Sequence, residues 1–194
     1  MKSILIAILC CVLTCAVLAQ GPAYPYTVNL SFTASTGTVT GYNMYRSSYT
    51  NGTCGSYSKL NATPFTATTY VDSNPTQGIY CYAATAVNGT QESGFSNVDS
   101  NISIPPPPPT GLGAAVAGLQ VDFNWTQSAG NKLTENDLYC ASKASGPFSR
   151  KLHSKTPIVS ASIQMAKGKH YCGVTASSGS EQSGLSNEVL AQVE

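Results

Sequence analysis

The sequence predicts an all-β protein built from two β-sandwiches, and three observations lead to that fold class. Apolar and polar residues alternate with a period of two in short segments, as at Val28, Leu30 and Phe32, and no stretch of about twelve residues carries a helical stripe. Turn signals such as Asn51-Gly52 and Asn88-Gly89 separate these segments. The same landmarks also occur twice along the chain. Each half therefore holds about seven short strands, a pattern typical of a β-sandwich.

Short matched segments show the duplication. Residues 93–97 read Ser-Gly-Phe-Ser-Asn, and residues 183–187 read Ser-Gly-Leu-Ser-Asn. Between the two copies, five consecutive prolines occupy residues 105–109. Such a run forms a stiff polyproline II spacer of about 15 Å. This organisation predicts a first domain at residues 20–104, a linker at 105–110 and a second domain at 111–194.

The N-terminal segment has the pattern of a secretory signal peptide. Lys2 precedes an apolar run over residues 4–18, and the small residue Ala19 follows it. A run of about 15 residues is too short for a permanent membrane helix. We therefore expect a signal peptide at residues 1–19, no stable membrane span, and an extracellular or periplasmic protein. A lipoprotein anchored at Cys15 is the less favoured alternative, because Thr14 fits that pattern poorly.

The composition argues against a nucleic-acid-binding protein and against a disordered chain. Charged residues make up 10% of the chain, with 10 Lys and Arg against 9 Asp and Glu. No basic surface of the kind that binds nucleic acid is expected from this balance. The hydrophobic content of 42% also excludes a charge-rich disordered chain.

Four cysteines remain once the predicted signal peptide is removed: Cys54, Cys81, Cys140 and Cys172. An even number in an oxidising compartment indicates disulfides. None of the four forms a closely spaced C-x-x-C pair, so a metal site is not expected.

The first half resembles a fibronectin type III domain. Residues 28–35 and 39–46 resemble strands B and C of that family, and residues 78–82 and 85–89 resemble strand F and its end. The chain is similar to the fibronectin type III modules of secreted bacterial proteins over nearly all of residues 26–104. The resemblance implies two tandem immunoglobulin-like β-sandwiches.

The resemblance also assigns individual residues. Trp125 corresponds to the core tryptophan of strand B in the second domain, and Tyr80 to the tyrosine whose hydroxyl closes the corner before strand F. His170 takes that place in the second domain, so we expect that corner to be closed differently. Only residues 21–25 precede strand B in the first domain, so its strand A is expected to be short or missing.

The repeat and the resemblance together imply the disulfides Cys54–Cys81 and Cys140–Cys172. Cys140 corresponds to Arg46 at the end of strand C, and Cys172 is in register with Tyr82 on strand F. Strands C and F are antiparallel neighbours in this family. Cys54 lies in the loop after strand C, which must curl back to reach Cys81. Free thiols in the core are the alternative.

Candidate catalytic residues are few. The chain has two histidines, His153 and His170, and no G-x-S-x-G segment that would mark a hydrolase nucleophile. A pair of acids for sugar hydrolysis would have to come from Asp72, Glu92, Asp99 or Asp137, which we interpret as separate surface acids. We expect a non-enzymatic protein without a cofactor.

Tyrosines offer the best candidates for a binding surface. Alternation places Tyr42, Tyr80 and Tyr82 in the core and leaves three others for an exposed patch: Tyr45, Tyr49 and Tyr57. The resemblance implies a secreted binding or spacer module for cell adhesion, which contacts an extracellular protein or glycan. The alternative is a carbohydrate-binding accessory protein of an exported enzyme system.

Overall fold

The structure, a computed structural model, describes residues 8–10, 24–73, 75–130 and 132–194. Over these residues the regular elements are all β-strands, which confirms the predicted fold class. The predicted signal peptide lies outside the described residues except for residues 8–10. In the described part of the chain, no helix is long and apolar enough to cross a membrane.

The chain divides into two compact units, which contain Tyr26–Ile104 and Pro105–Glu194. The first unit also includes a short N-terminal strand, and its strands are β1 (Ile8–Cys10), β2 (Thr27–Phe32), β3 (Gly41–Thr50), β4 (Thr53–Cys54), β5 (Ser58–Lys59), β6 (Thr69–Ser73), β7 (Gly78–Asn88), β8 (Gln91–Glu92) and β9 (Asp99–Ile104). The strands of the second unit are β10 (Thr110–Ala117), β11 (Gln120–Thr126), β12 (Glu135–Ala141), β13 (Ser149–Ser154), β14 (Ser160–Gln164), β15 (Gly168–Ser178), β16 (Glu181–Gln182) and β17 (Val189–Val193).

Two antiparallel sheets enclose the core of the first unit. The smaller sheet has the order β1-β2-β6, and the larger sheet has the order β4-β3-β7-β8, with β5 also beside β3 and β9 also beside β7. Successive side chains of a strand point to opposite faces, so every second residue enters the core. The buried residues alternate in this way on both sheets and include Val28, Leu30, Phe32, Met44, Tyr82 and Ala84.

The second unit repeats this arrangement. Its smaller sheet has the order β10-β11-β14, and its larger sheet has the order β13-β12-β15-β16, with β17 also beside β15. Trp125 lies on β11 and is buried, as the resemblance to strand B implies. The other core residues include Val121, Phe123, Leu138, Cys140, Cys172 and Val174.

Among the described residues, each unit contains one disulfide. Cys54 is bonded to Cys81, with 5.9 Å between their Cα atoms, and Cys140 is bonded to Cys172, with 4.1 Å between theirs. These are the pairs that the repeat and the resemblance imply. Cys54 pairs with Tyr49 in the β3–β4 hairpin, so the chain turns back along the end of β3, and the disulfide joins the hairpin to Cys81 on β7.

The corner before the long central strand is closed by the same type of hydrogen bond in both units. The Tyr80 hydroxyl donates to the backbone carbonyl of Thr76 at 3.1 Å. His170 Nε2 donates to the carbonyl of Ala166 at 2.8 Å, also four residues earlier. The expectation that His170 requires a different closure is therefore wrong, since an imidazole N–H reaches the same acceptor as the phenol does.

The strand beside β2 comes from an unexpected part of the chain. β1 pairs antiparallel with β2, with Ile8 opposite Phe32 and Cys10 opposite Leu30. The place of a short strand A is therefore taken by β1, which lies within the predicted signal peptide, whereas residues 21–23 of the expected segment 21–25 lie outside the described residues. In the second unit, the eight residues of β10 occupy the corresponding place beside β11.

Candidate binding surface

The outer face of the larger sheet in the first unit, which points away from the core, carries a hydrogen-bonded polar cluster. Asn43 on β3 lies opposite Thr85 on β7, and Glu92 follows on β8. Glu92 Oε1 accepts hydrogen bonds from Asn43 Nδ2 at 2.9 Å, from the Tyr45 hydroxyl at 2.7 Å and from the Thr85 hydroxyl. One carboxylate therefore ties three strands together on this face.

These contacts fix the ionisation states of the cluster. Hydrogen bonds from Asn43 and Thr85 lower the pKa of Glu92 below its ordinary value, and the positive charge of Lys59 adds to the effect. Burial raises the pKa of Tyr45, and the neighbouring Glu92 raises it further. At neutral pH the cluster therefore consists of a carboxylate and a protonated phenol.

An aromatic patch, defined by Tyr45, Tyr57 and Phe95, lies beside this cluster. The ring of Phe95 is 5.1 Å from the ring of Tyr45 and 4.7 Å from the ring of Tyr57, centroid to centroid. Both tyrosines are half-buried, whereas Phe95 is 48% exposed. The patch thus presents flat apolar area together with polar groups, a combination found in protein and sugar binding sites.

The other tyrosines named in the sequence analysis lie in different environments. Tyr42 and Tyr82 are core residues, as the alternation predicts, and Tyr80 is half-buried at the corner. Tyr49 lies in the β3–β4 hairpin opposite Cys54, where the disulfide to Cys81 holds the hairpin. Of the three candidates for an exposed patch, the structure brings Tyr45 and Tyr57 together through Phe95.

The second unit has a corresponding cluster in which the acid and the amide have exchanged places. Asp137 lies opposite Thr175, as Asn43 lies opposite Thr85. Gln182 takes the place of Glu92 and donates from Nε2 to Asp137 Oδ2 at 3.0 Å and to the Thr175 hydroxyl at 3.0 Å.

Basic side chains complete the surroundings of Asp137, which is only 4% exposed. His153 Nδ1 lies 2.7 Å from Asp137 Oδ1, and the Arg150 guanidinium lies 3.6 Å from Oδ2. A His–Asp pair also occurs in hydrolases, where a hydroxyl or thiol nucleophile contacts the other ring nitrogen. Among the described residues, Asp137 is the hydrogen-bond partner of His153, and no nucleophile completes such a triad. The cluster balances a buried charge and holds β13 against β12.

The interpretation of the four candidate acids as separate surface residues is wrong for Asp72 and Asp137, which are buried. Asp72 lies inside the first unit, where it accepts hydrogen bonds from Arg46 at 2.7 Å and from the Tyr82 hydroxyl at 2.8 Å. Glu92 lies on the outer face, Asp99 begins β9, and Asp137 belongs to the second unit. Within the described ranges, no three His, Cys, Asp or Glu side chains are grouped so that they could hold a metal ion.

Sequence reasoning missed two parts of this surface. Phe95 belongs to the repeated segment 93–97, but its contacts with Tyr45 and Tyr57 were not foreseen. The sequence feature that could have indicated this contact is the aromatic residue Phe95 at a position where the second copy has leucine. The pairing of His153 with Asp137 was also missed, although the two residues lie opposite each other on the neighbouring strands β12 and β13.

Comparisons with known proteins support the fold. No protein-family model matches the sequence, and no curated protein matches it. Among solved structures, the chain is similar to a two-domain fibronectin type III segment of chicken tenascin, with a TM-score of 0.53, 10% identity, and coverage of 86% of this chain and 92% of that chain.

Two further structures from chicken are similar at lower scores. The FN1–FN3 domains of CNTN1 match with a TM-score of 0.43 and 12% identity over 90% of this chain and 64% of that chain. The interferon gamma receptor alpha chain matches with a TM-score of 0.47 and 14% identity over 86% of this chain and 92% of that chain. The tenascin match shows the fold: the chain is a tandem of two fibronectin type III-like β-sandwiches.

Proposed function

We propose that this protein is a secreted, non-enzymatic binding and spacer module whose first unit contacts an extracellular protein or glycan through the aromatic patch. The observation that supports the proposal most strongly is the exposed ring of Phe95, held in place by Tyr45 and Tyr57 beside an ionised carboxylate. Interface hot spots are commonly aromatic residues of this kind on a rigid support.

Export is the second part of the proposal. The pattern of residues 1–19 predicts a signal peptide, and two disulfides are typical of an oxidising compartment. The proposed organisation has domains at residues 20–104 and 111–194, joined by a proline linker at 105–110. The role as a spacer follows from this arrangement.

If the ligand is a glycan, the protein could also serve as a carbohydrate-binding accessory protein of an exported enzyme system. An exposed aromatic ring next to a carboxylate can stack on a sugar and accept hydrogen bonds from its hydroxyls. A protein ligand would use the same ring as an apolar anchor. Both ligands would bind at the aromatic patch, so the two hypotheses differ only in the class of ligand.

The test compares the wild type with Phe95→Ala on immobilised neutral and acidic oligosaccharides and on intact cells of the source organism. Val71→Ala is the matched control, because Val71 is 50% exposed and lies on β6 of the other sheet. Binding that Phe95→Ala abolishes and Val71→Ala retains supports the proposal, and the surface on which it occurs identifies the ligand class. Binding that Phe95→Ala leaves unchanged contradicts it.

A further inference from the structure

The two units differ in how the edge of their smaller sheet is covered. In the second unit, β11 lies between β10 and β14, and β10 covers it from Gln120 to Thr126. In the first unit, β2 lies between β6 and the three residues of β1, which lie opposite Leu30, Ser31 and Phe32. The first unit therefore depends on residues 8–10 for a cover that the second unit builds from a full strand.

That cover lies wholly within the predicted signal peptide. Cleavage after Ala19 removes Ile8–Cys10, and among the described residues of the cleaved chain β6 is then the strand that remains beside β2. A sheet edge that loses its partner strand is a template for another strand. This step rests on the proposed export of the protein.

The sequence of β2 does not protect such an edge. Natural edge strands are usually blunted by charged side chains or proline, which prevent pairing with another chain. β2 reads Thr-Val-Asn-Leu-Ser-Phe and contains neither. Its alternation is also strict, since Val28, Leu30 and Phe32 are buried while Thr27 and Asn29 are exposed. A strand of this kind accepts a partner strand of the same alternation.

The β2 strand of a second copy has the same alternation, and it can run antiparallel to the first. Two copies related by a two-fold axis place their β2 strands antiparallel, which is the direction in which Ile8–Cys10 pairs with β2. Buried residues must lie opposite buried residues, so the register has to keep the two alternations in phase. A register centred on Leu30 meets this condition, with Leu30 opposite Leu30 and Val28 opposite Phe32. Cleavage removes Lys2 and leaves 9 Lys and Arg against 9 Asp and Glu, so the formal net charge of the cleaved chain is zero and offers little repulsion.

We propose that the secreted protein forms a two-fold dimer by antiparallel pairing of β2 with β2 of a second copy, at the edge that the signal peptide leaves open. The dimer joins the two smaller sheets into one continuous sheet. It also doubles the number of aromatic patches in one particle, which increases avidity for a repeated ligand.

The experiment uses the full secreted chain. Mass spectrometry first establishes whether its N-terminus is Gln20, and sedimentation equilibrium then measures association from about 1 µM to about 1 mM. We expect a concentration-dependent dimer, together with slower amide hydrogen exchange at Asn29 and Ser31 as the concentration rises, because the N–H of Phe32 bonds to β6 and those of Asn29 and Ser31 point to the opposite edge. A monomer across this range overturns the proposal while leaving export intact. A chain that retains residues 1–19 after export overturns both.

Matched variants locate the interface. Asn29→Lys places a charge on the outward side of β2, and we expect it to weaken the dimer by about tenfold or more, equivalent to about 1.4 kcal/mol. Asn124→Lys makes the same change on β11, which β10 covers, and should leave association unchanged. Equal thermal stability of the two variants excludes misfolding as the cause. A dimer that Asn29→Lys leaves unaffected overturns the proposal.

Discussion

Cys140 lies directly opposite Cys172 on the antiparallel strands β12 and β15, and their disulfide is buried in the core of the second unit. The first unit pairs Arg46 with Tyr82 at the corresponding position. There, both side chains donate hydrogen bonds to Asp72, which belongs to the smaller sheet. One unit therefore connects its central strands covalently, whereas the other connects its two sheets through a hydrogen-bonded ion pair.

Removal of the second disulfide should destabilise the second unit. Cys140→Ala combined with Cys172→Ala frees a segment with a sequence separation of 32, and we expect a loss of about 3–4 kcal/mol in the free energy of unfolding from chain entropy. Urea unfolding followed by the fluorescence of Trp125 measures this loss. A decrease below about 1 kcal/mol would contradict the expected contribution. Non-reducing peptide mapping serves as the control, since a peptide joining Cys81 to Cys140 would exclude the pairing.

Replacement of Asp72 should leave two polar groups without their partner. Asp72→Ile removes the acceptor of both Arg46 and Tyr82, and we expect a loss of about 2 kcal/mol, because Arg46 keeps partial contact with solvent. Ile163 is the natural precedent, since it lies opposite Val121 in the second unit as Asp72 lies opposite Val28.

The double variant Arg46→Met/Asp72→Ile is the control for this interpretation. It removes the unpaired charge as well as its acceptor, so we expect it to be more stable than Asp72→Ile alone. Urea unfolding of the three proteins gives the coupling between the two positions. If Asp72→Ile is as stable as the wild type, the ion pair does not hold the two sheets together.

Much of the fold could be predicted because its signals are local or repeated. Alternation along single strands, as in Val28, Leu30 and Phe32, marks which residues enter the core. The repeat assigns two cysteines to each half, and the resemblance implies that strands C and F, which contain Cys140 and Cys172, are antiparallel neighbours. The first signal is local, and the second depends on the resemblance rather than on the residues alone.

The candidate surface was harder to predict because it depends on pairing between distant segments. Glu92 reaches Asn43 only because β8 pairs with β7 and β7 pairs with β3. Phe95 lies in a loop whose path no alternation reveals, yet it contacts both Tyr45 and Tyr57. Composition and periodicity describe single segments, so they do not indicate which side chains meet across a sheet.

The Glu92 cluster should make stability depend on pH. The pKa of Glu92 is lowered in the folded state, so the unfolded state binds a proton first as the pH falls. Its contribution to the free energy of unfolding is therefore full above about pH 5 and is lost as the pH falls through the lowered pKa. The difference in stability between the wild type and Glu92→Gln should shrink over this range.

Urea unfolding between about pH 7 and about pH 3 measures that difference. Glu181→Gln, a change on the corresponding hairpin of the second unit, is the control for the loss of one carboxylate from such a hairpin. A gap between the wild type and Glu92→Gln that stays constant down to the lowest pH would contradict the assigned role of the carboxylate.

Loss of the corner hydrogen bond should have a smaller effect. Tyr80→Phe removes the bond to the carbonyl of Thr76, and we expect it to lower the free energy of unfolding by about 1 kcal/mol. In the second unit, His170→Phe removes the bond to Ala166 and should have a similar effect, whereas His170→Gln, which can still donate, should retain more stability. Thermal unfolding compares these variants, and equal stability of all of them would mean that the corner bonds do not contribute.

The central claim is that the chain consists of two self-contained β-sandwich modules, and separate unfolding of the two halves tests it most directly. Fragments 20–104 and 105–194 each keep one disulfide and one core. We predict that each fragment unfolds cooperatively in urea, and that the two transitions together reproduce the unfolding of the whole chain. If both fragments fail to fold while the whole chain unfolds in a single cooperative step, the two-module description is wrong.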